Sequence, residues 1–460
     1  MRLRRCRPLL LLVGLAGCGG SAPGAVAPGA SPEPARATLD AEPIDSALAV
    51  LTFDSAWSRI NTSYYDPDFR GLDWGAVRDD LRPAATRVST RGELRAVLRD
   101  MLARLGESHF AILAEESVDG IEVDPGDEEE AGDGSGEVPL DLRWVEGELT
   151  VVEVFGDPEA VGPITAGWIL DGVGDRDFAE WREVVASADS EAARKGLLTE
   201  TVSTARALLA GSTGTEVSLA LRDGTGTPRT VAARRVPIRG ERVQFGALPA
   251  MVAHLEVERV ERDGGCVGRI AFNVWMIPLV EDFNRAVDAT ADCTGMVIDL
   301  RGNPGGVGGM VMSTAGSFFG ERADLGVLTS RTGQIRFVAM PRAVDTEGAL
   351  RQPFEGRLAV LVDEMSMSTS EVFAAGLKST GRARVFGRTT PGYALPAMTL
   401  RLPSGDVLYH VISNLTDPEG VRIEGRGVEP HEVIPLRRDD LLAGRDAALD
   451  AALDWAFGAN

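Results

Sequence analysis

The first part of the chain carries apolar residues at helical spacing. Leu51, Phe53, Trp57 and Ile60 form one such series between polar neighbours. A period of 3.6 residues is typical of helices that bury one face against a core. The pattern therefore predicts a small N-terminal helical region over residues 44–114.

Shorter strands are predicted in the second part of the chain, between residues 138 and 238. Alternating apolar and polar positions, as in residues 149–154, indicate a small β-rich module. Residues 166–170, followed by an amphipathic helix near residues 178–187, resemble a PDZ domain, which binds a peptide at a sheet edge. A second predicted helix, over residues 190–209, exceeds the usual plan of that domain.

The last part of the chain, residues 246–460, alternates apolar runs with helical stretches. Residues 295–300 and 358–362 are continuous apolar runs of the kind found in buried parallel strands. A helical stretch over residues 371–378 follows the second run and ends near Gly381, a favourable C-cap. We therefore predict a multidomain α/β protein with an α/β domain at its C-terminal end.

The first 18 residues resemble an export signal. Arginines precede an apolar run over residues 9–15 that is too short to span a bilayer. Small residues then lead directly to Cys18, which resembles a bacterial lipobox with Cys18 as the lipidated residue. The alternative is an ordinary secretory signal in which Cys18 is incidental.

Two further segments indicate where the protein acts. Residues 19–43 are rich in Ala, Pro, Gly and Ser and predict a flexible tether. Gly19 after the cysteine favours the outer membrane, by resemblance to Gram-negative sorting. We therefore expect a lipid-anchored protein of the cell envelope, in contact with the membrane only through that lipid.

The charge of the chain limits its partners. A net charge of −22 at pH 7 argues against a nucleic-acid partner, because phosphate binding needs clustered cations. Residues 115–137 hold a dense run of Asp, Glu and Gly, which predicts a solvated acidic loop. A calcium site in this loop is an unsupported alternative.

Two cysteines, Cys266 and Cys293, each precede an apolar run. Adjacent parallel strands would bring their sulfur atoms together, and an oxidising envelope favours a disulfide. Two buried free thiols are the alternative. Neither the cysteines nor the four histidines show metal-ligand spacing, so we expect no metal and no other cofactor.

Two segments of the C-terminal domain are candidates for chemistry. Residues 296–306 form a strand that breaks into a glycine-rich turn, where backbone amides can approach a reacting atom closely. The second segment runs from the apolar strand 358–362 into three alternating serines, Ser366, Ser368 and Ser370. Serines at a helix start are more often caps than nucleophiles, so position alone does not choose among them.

Both motifs, in this order, resemble the signature of the tail-specific (C-terminal processing) and tricorn-type serine peptidases. The similarity covers residues 299–306, 366–371 and 381–383, and extends to residues 64–67 and 424–430. By this resemblance Ser368 is the nucleophile. The resemblance also implies a crotonase-like ββα-repeat catalytic core, joined to the N-terminal helical region and the PDZ-like β module.

The general base departs from the tail-specific pattern. Those enzymes pair the serine with a lysine, and Tyr393 stands where that lysine is expected. Lys378 lies roughly 15 Å further along the predicted helix, and Lys195 lies in another module. A Ser-Lys dyad is therefore missing, and another group must accept the serine proton.

Histidine is the natural alternative base. Residues 105–110 are similar to the Ser-His pair of tricorn-type enzymes, which implies that His109 is the base and that Ser108 and Glu424 orient it. The arrangement is thus Ser-His-Ser-Glu. His410, in the catalytic domain, is the fallback base, whereas His254 and His431 are expected to be structural or surface residues. Glu419 and Glu429 are close to Glu424 in sequence and are the alternatives for the orienting carboxylate.

The resemblance also implies how the tetrahedral intermediate is bound. The backbone amide of Thr369, with that of Gly305 or Gly306, would form the oxyanion hole. We expect an enzyme that cleaves envelope or extracellular polypeptides, bound through their C-termini by the PDZ-like module. The alternative is an inactive lipoprotein of the same fold that binds peptides or apolar ligands.

Overall fold

The N-terminal region is helical. The computed structural model describes residues 40–115, 134–188, 190–243, 251–262 and 265–458, so the signal, most of the tether and most of the acidic loop lie outside the described residues. Asp45 caps the first helix, and Thr90 with Glu93 forms a capping box on the third. The elements are α1 (Ser46–Ser63), α2 (Trp74–Ala85), α3 (Arg91–Ala103) and β1 (Ala111–Leu113).

The second region is a β-rich module with two helices. Its main sheet has the order β3-β4-β5-β8-β9, with β6 paired to β5, so that β3 is an edge strand. Both helices that the periodicity predicts are present. The elements are β2 (Ser135–Glu137), β3 (Leu140–Val145), β4 (Glu148–Val154), β5 (Ile169–Val173), β6 (Arg176–Asp177), α4 (Ala179–Ala186), α5 (Glu191–Leu209), β7 (Ala210–Ser212), β8 (Glu216–Arg222), β9 (Pro228–Arg234) and β10 (Val236–Pro237).

The third region is an α/β domain, as the alternating pattern predicts. Its strands are β11 (Glu241–Val243), β12 (Met251–Ala253), β13 (Leu255–Arg262), β14 (Gly265–Phe272), β15 (Gly295–Asp299), β16 (Ala323–Ser330), β17 (Gly333–Ala339), β18 (Arg357–Val362), β19 (Arg384–Gly387), β20 (Ala397–Arg401), β21 (Val407–Val411), β22 (Asn414–Thr416) and β23 (Glu432–Val433). Its helices are α6 (Leu279–Ala289), α7 (Met310–Ala315), α8 (Thr369–Ser379), α9 (Arg438–Leu442) and α10 (Ala447–Ala456).

A six-stranded sheet forms the centre of this domain. Its order is β13-β14-β15-β18-β19-β23, and every pair is parallel except β13 with β14. The central strands β15 and β18 are buried along most of their length, which explains their continuous apolar sequence. Cys266 and Cys293 are joined by a disulfide beside the paired strands β14 and β15.

The three regions share their cores. Leu395, just before β20, and Leu408, in β21, are buried among the N-terminal helices, and β1 pairs with β21. Met365 and Met367 are buried in the core of the β-rich module. Within the described ranges, no helix has the length and apolar character needed to cross a bilayer.

Candidate active site

The turn between β18 and α8 presents one serine hydroxyl and buries two others. Ser366 Oγ donates to Leu300 O (2.7 Å), and Ser370 Oγ donates to Asn303 O (3.0 Å); both serines are fully buried. Ser368, between them, is only half-buried. The structure therefore separates three serines that the sequence pattern left equivalent.

Ser368 has a strained backbone. Its φ of 52° and ψ of −115° lie outside the regions that side chains with a β-carbon normally adopt. Its N–H is shared between Tyr393 O (2.7 Å) and Glu371 Oε2 (3.0 Å). A contact with α8 itself and one with residue 393 thus fix the backbone of Ser368 at the start of the helix.

The glycine-rich turn after β15 packs directly on this serine. A β-carbon on Gly305 would lie 2.7 Å from Ser368 Cβ, and one on Gly306 would overlap the carbonyl oxygen of Trp275. Gly305 N–H donates to Asn303 Oδ1 (3.0 Å). The N–H groups of Gly306 and Thr369 make no hydrogen bond with any described residue.

The second part of the site comes from the loop before β1. Ser108 Oγ lies 2.6 Å from His109 Nδ1 and donates to Glu424 Oε2 (3.0 Å), while Ser108 N–H donates to Glu424 Oε1 (3.0 Å). Since the hydroxyl proton goes to the carboxylate, Ser108 Oγ accepts from Nδ1–H, which leaves His109 Nε2 as an acceptor. Burial lowers the pKa of His109 to about 4, so the ring is neutral at pH 7.

One short segment connects the two parts. Tyr393 O accepts from Ser368 N, and the next residue, Ala394, donates its N–H to Glu424 Oε2 (2.9 Å). No hydrogen bond among the described residues joins Ser368 Oγ to His109 directly; such contacts often tighten only when substrate binds. The structure thus brings Ser368, Ser108, His109 and Glu424 into one connected network.

Comparison with known proteins finds two matching domains in the chain. Residues 268–434 match peptidase family S41, and residues 52–103 match the tricorn protease C1 domain. The chain carries an S41 peptidase domain. The S41 match contains Ser368, Glu424 and the glycine-rich turn, whereas His109 lies just beyond the tricorn C1 match.

Curated relatives of this chain include peptidases of both named types. The carboxyl-terminal-processing protease of Picosynechococcus sp. is 26% identical over 394 residues, which cover 83% of this chain and 82% of that protein. Tricorn protease homolog 1 of Streptomyces coelicolor is 26% identical over 422 residues, 88% of this chain but only 35% of that protein. The chain therefore spans about a third of the tricorn homologue's length.

Solved structures support the fold. The photosystem II D1 C-terminal processing protease superposes with a TM-score of 0.55 at 19% identity, over 84% of this chain and 93% of that chain. The multidomain α/β architecture predicted from the sequence is therefore confirmed. The two family matches likewise confirm the predicted kinship with C-terminal processing and tricorn-type peptidases.

Tyr393, where a lysine was expected, is unsuited to act as a base in this S41 domain. Its side chain packs on the core of the β-rich module beside Met365 and Met367. Burial, with the charges of Glu424 and Glu371, raises the pKa of its phenol to about 12. The phenol is therefore protonated at neutral pH.

The other candidate bases lie in different environments. His410 is fully buried, accepts from Arg59 Nε (3.1 Å) at Nε2 and lies 3.3 Å from Ser63 Oγ at Nδ1. It points away from its neighbour Tyr409, whose ring lies 5.8 Å from that of His109. His410 thus faces the N-terminal helices, on the opposite side of β21 from His109.

The remaining alternatives are also occupied elsewhere or exposed. Lys378 Nζ donates to Glu429 O (2.5 Å), and His431 Nδ1 accepts from Val385 N (3.0 Å). Glu419 and Glu429 are exposed, whereas Glu424 is buried.

Sequence reasoning missed two buried carboxylates that hold the site. Glu107 accepts from Tyr64 Oη (2.5 Å), Tyr65 Oη (3.0 Å) and Arg70 Nη1 (2.7 Å), and forms a further ion pair with Arg422. The second is Glu371, beside Ser368. Both residues stand inside the motifs that suggested the family, but nothing local distinguishes them from ordinary polar positions.

Proposed function

We propose that this S41 protein is a serine endopeptidase that uses a Ser-His-Ser-Glu arrangement and an acyl-enzyme intermediate. The observation that carries the proposal is the network that links strained Ser368, through residues 393–394, to Glu424, Ser108 and His109. A neutral imidazole with a free Nε2 lone pair is the form that a general base needs.

Each group has a defined role in the proposed reaction. Ser368 Oγ attacks the peptide carbonyl carbon while His109 Nε2 accepts its proton. The resulting imidazolium donates from Nδ1 to Ser108 Oγ, and Ser108 passes a hydrogen bond to the Glu424 carboxylate. His109 then protonates the leaving amine, and water hydrolyses the acyl-enzyme by the same steps in reverse.

The oxyanion would be bound by the backbone N–H groups of Gly306 and Thr369. Both are without intramolecular partners among the described residues, whereas Gly305 N–H donates to Asn303. Thr369 also gains from its position at the N-terminus of α8, where the helix dipole favours negative charge. Loss of one such donor typically lowers the rate on the order of 100- to 1000-fold.

Substrate capture is the finer part of the proposal. We infer that the β-rich module acts as a PDZ-like domain that adds a polypeptide tail to the free edge of β3. A cavity of about 670 Å³ lies between this edge, α5 and the catalytic domain, with Leu140 and Arg206 in its lining. Three residues that line this cavity each have a buried nitrogen atom with no hydrogen-bond partner among the described residues. These atoms are Arg239 Nε, His254 Nδ1 and Arg269 Nε.

These donors suit a carboxylate. Arg239 Nη2 lies 3.0 Å from His254 Nε2, and because arginine only donates, the His254 ring proton must be on Nδ1. Three N–H groups are thus available to an acceptor such as a peptide C-terminus. By the sequence signal at Cys18, the substrates would be polypeptides of the cell envelope.

The decisive variant is Ser368→Ala. We expect it to abolish peptide hydrolysis and labelling by a fluorophosphonate, because both require the activated hydroxyl. Ser379→Ala, at the opposite end of the same helix from Ser368, is the matched control and should retain both. Peptidase activity in purified Ser368→Ala would defeat the assignment, and peptide binding without labelling in the wild type would favour the non-catalytic binding protein.

A further inference from the structure

Glu371 is a fully buried carboxylate at the base of the nucleophile turn. Its Oε2 accepts from Ser368 N (3.0 Å) and Tyr393 N (2.8 Å). Its Oε1 accepts from Thr390 Oγ1 (2.5 Å) and Gly392 N (2.7 Å). Four donors from two segments thus converge on one side chain.

A helix cap explains only one of these four contacts. Glu371 occupies the third position of α8, where a glutamate commonly accepts from the N-cap amide, here that of Ser368. The other three donors belong to residues 390–393, which are remote in sequence. An ordinary cap of this kind needs neither that second segment nor complete burial.

The second segment connects Glu371 to the general base. Tyr393 N donates to Glu371, Tyr393 O accepts from Ser368 N, and Ala394 N donates to Glu424. Glu371 therefore touches both the nucleophile's backbone and the segment that supports the carboxylate behind Ser108. Displacement of this carboxylate would shift the two halves of the site relative to each other.

We propose that Glu371 is a positioning residue of the reaction, whose carboxylate holds Ser368 in its strained backbone conformation and in register with the His109–Ser108–Glu424 network. This inference rests on the proposed function, since it assumes that Ser368 is the nucleophile. Neither an ordinary helix cap nor the four residues of the proposed catalytic network would hold the Ser368 backbone in this position.

The ionisation of Glu371 provides an independent readout. Burial raises the pKa of Glu371 to about 7, and the negative charge of Glu424 also raises it. The hydrogen bonds that Glu371 accepts lower the pKa but do not offset burial. Tyr393, the other titratable group that faces it, stays neutral. Only the ionised form accepts from all four donors, so kcat/KM should rise as pH increases through about 7.

The test compares Glu371→Gln with the wild type. A glutamine places an NH₂ group against two of the four donors, and we expect kcat to fall roughly 10- to 100-fold with KM little changed. The rise in kcat/KM near pH 7 should disappear, because the variant has no group that titrates there. Residual activity should then fall only near pH 4, where His109 is protonated.

Controls separate positioning from folding. Glu364→Gln removes a half-buried carboxylate from the same turn, which pairs with Arg388 and does not contact Ser368, and should leave kcat and the pH profile unchanged. Glu371→Asp keeps the charge and should retain a pH-dependent rise with intermediate kcat. Circular dichroism and the unfolding midpoint establish that each variant is folded.

The outcomes distinguish this inference from the proposed function. If Ser368→Ala is inactive while folded Glu371→Gln keeps wild-type kcat or the wild-type pH profile, the inference is wrong and the peptidase assignment stands. If Ser368→Ala is active, the peptidase assignment itself fails. If Glu371→Gln does not fold, Glu371→Asp decides, and a wild-type kcat in that folded variant would overturn the inference.

Discussion

At the residue scale, the site depends on groups whose ordinary chemistry is altered by burial. His109 has a positive φ of 61°, as Ser368 has one of 52°, so both proposed reacting side chains sit on strained backbone. Strain of this kind persists only where surrounding contacts enforce it. Glu371 contacts Ser368 directly, and Glu107, two residues before His109, bonds that loop to Tyr64.

Ser368 and His109 should act as one unit. We expect His109→Ala to lower kcat/KM as much as Ser368→Ala, and the double variant to be no worse than either, because one removes the nucleophile and the other the base that activates it. Steady-state kinetics on a peptide substrate measure all three. Multiplicative losses, or near-normal turnover in His109→Ala, would contradict the proposed pairing.

Glu107→Gln should weaken both activity and stability. The substitution leaves the guanidinium groups of Arg70 and Arg422 without their anionic partner and loosens the loop that carries Ser108 and His109. Loss of a buried charged hydrogen bond costs on the order of 1.5–3 kcal/mol. Urea unfolding and kcat/KM measure the two effects, with exposed Glu419→Gln as the control; unchanged kcat/KM would exclude a role for Glu107 at the site.

At the element scale, the sequence pattern predicted local structure well and distant pairing poorly. The apolar runs at 295–300 and 358–362 are indeed buried neighbouring strands, and the helix near 371–378 is present as α8. The pairing of β1 with β21 was not foreseen, because no periodicity within a three-residue strand specifies a partner so far away.

The candidate site, like the fold, was predicted only in part from the sequence. Ser368, His109, Ser108 and Glu424 were named from family resemblance; the last three are hydrogen-bonded in series, and Ser368 is linked to them through the backbone of residues 393–394. Glu371 was overlooked because a glutamate three residues after a serine is the ordinary pattern of a helix cap. Its three additional donors come from residues 390–393, a contact that only the tertiary fold reveals.

The Cys266–Cys293 disulfide should contribute to stability but not to chemistry. It closes a segment of 27 residues around α6, far along the chain from Ser368. We expect Cys293→Ser to lower the free energy of unfolding by about 3 kcal/mol with little change in kcat/KM. A reductant should destabilise the wild type and not the variant; equal responses would show that the thiols are unpaired.

At the scale of the whole molecule, buried neutral histidines make stability depend on pH. Burial lowers the pKa values of His109, His254 and His410 from 6.5 to about 4. The unfolded chain therefore binds protons between pH 6.5 and 4 that the folded protein does not. By linkage, these groups reduce the free energy of unfolding as pH falls through that range.

His254→Gln isolates one of these contributions outside the proposed reacting groups. Urea unfolding at pH 7 and pH 4.5 should show a smaller loss of stability on acidification in the variant than in the wild type. An equal loss in variant and wild type would indicate that His254 is protonated in the folded protein.

Glu371 acts in the opposite sense. Its raised pKa lowers the free energy of unfolding as pH rises from about 4.5 to 7.

The distance in sequence between the two halves of the active site governs when activity appears. Ser108 and Glu424, which are hydrogen-bonded, are separated by 316 positions, and the strand after His109 needs β21 as its partner. During synthesis, His109 therefore emerges long before Glu424 and β21, which support it, and Ser368 also precedes both. The last-made part of the polypeptide thus completes a site that the first-made part begins, so the hydrogen-bonded network around His109 forms only after most of the chain has been synthesised.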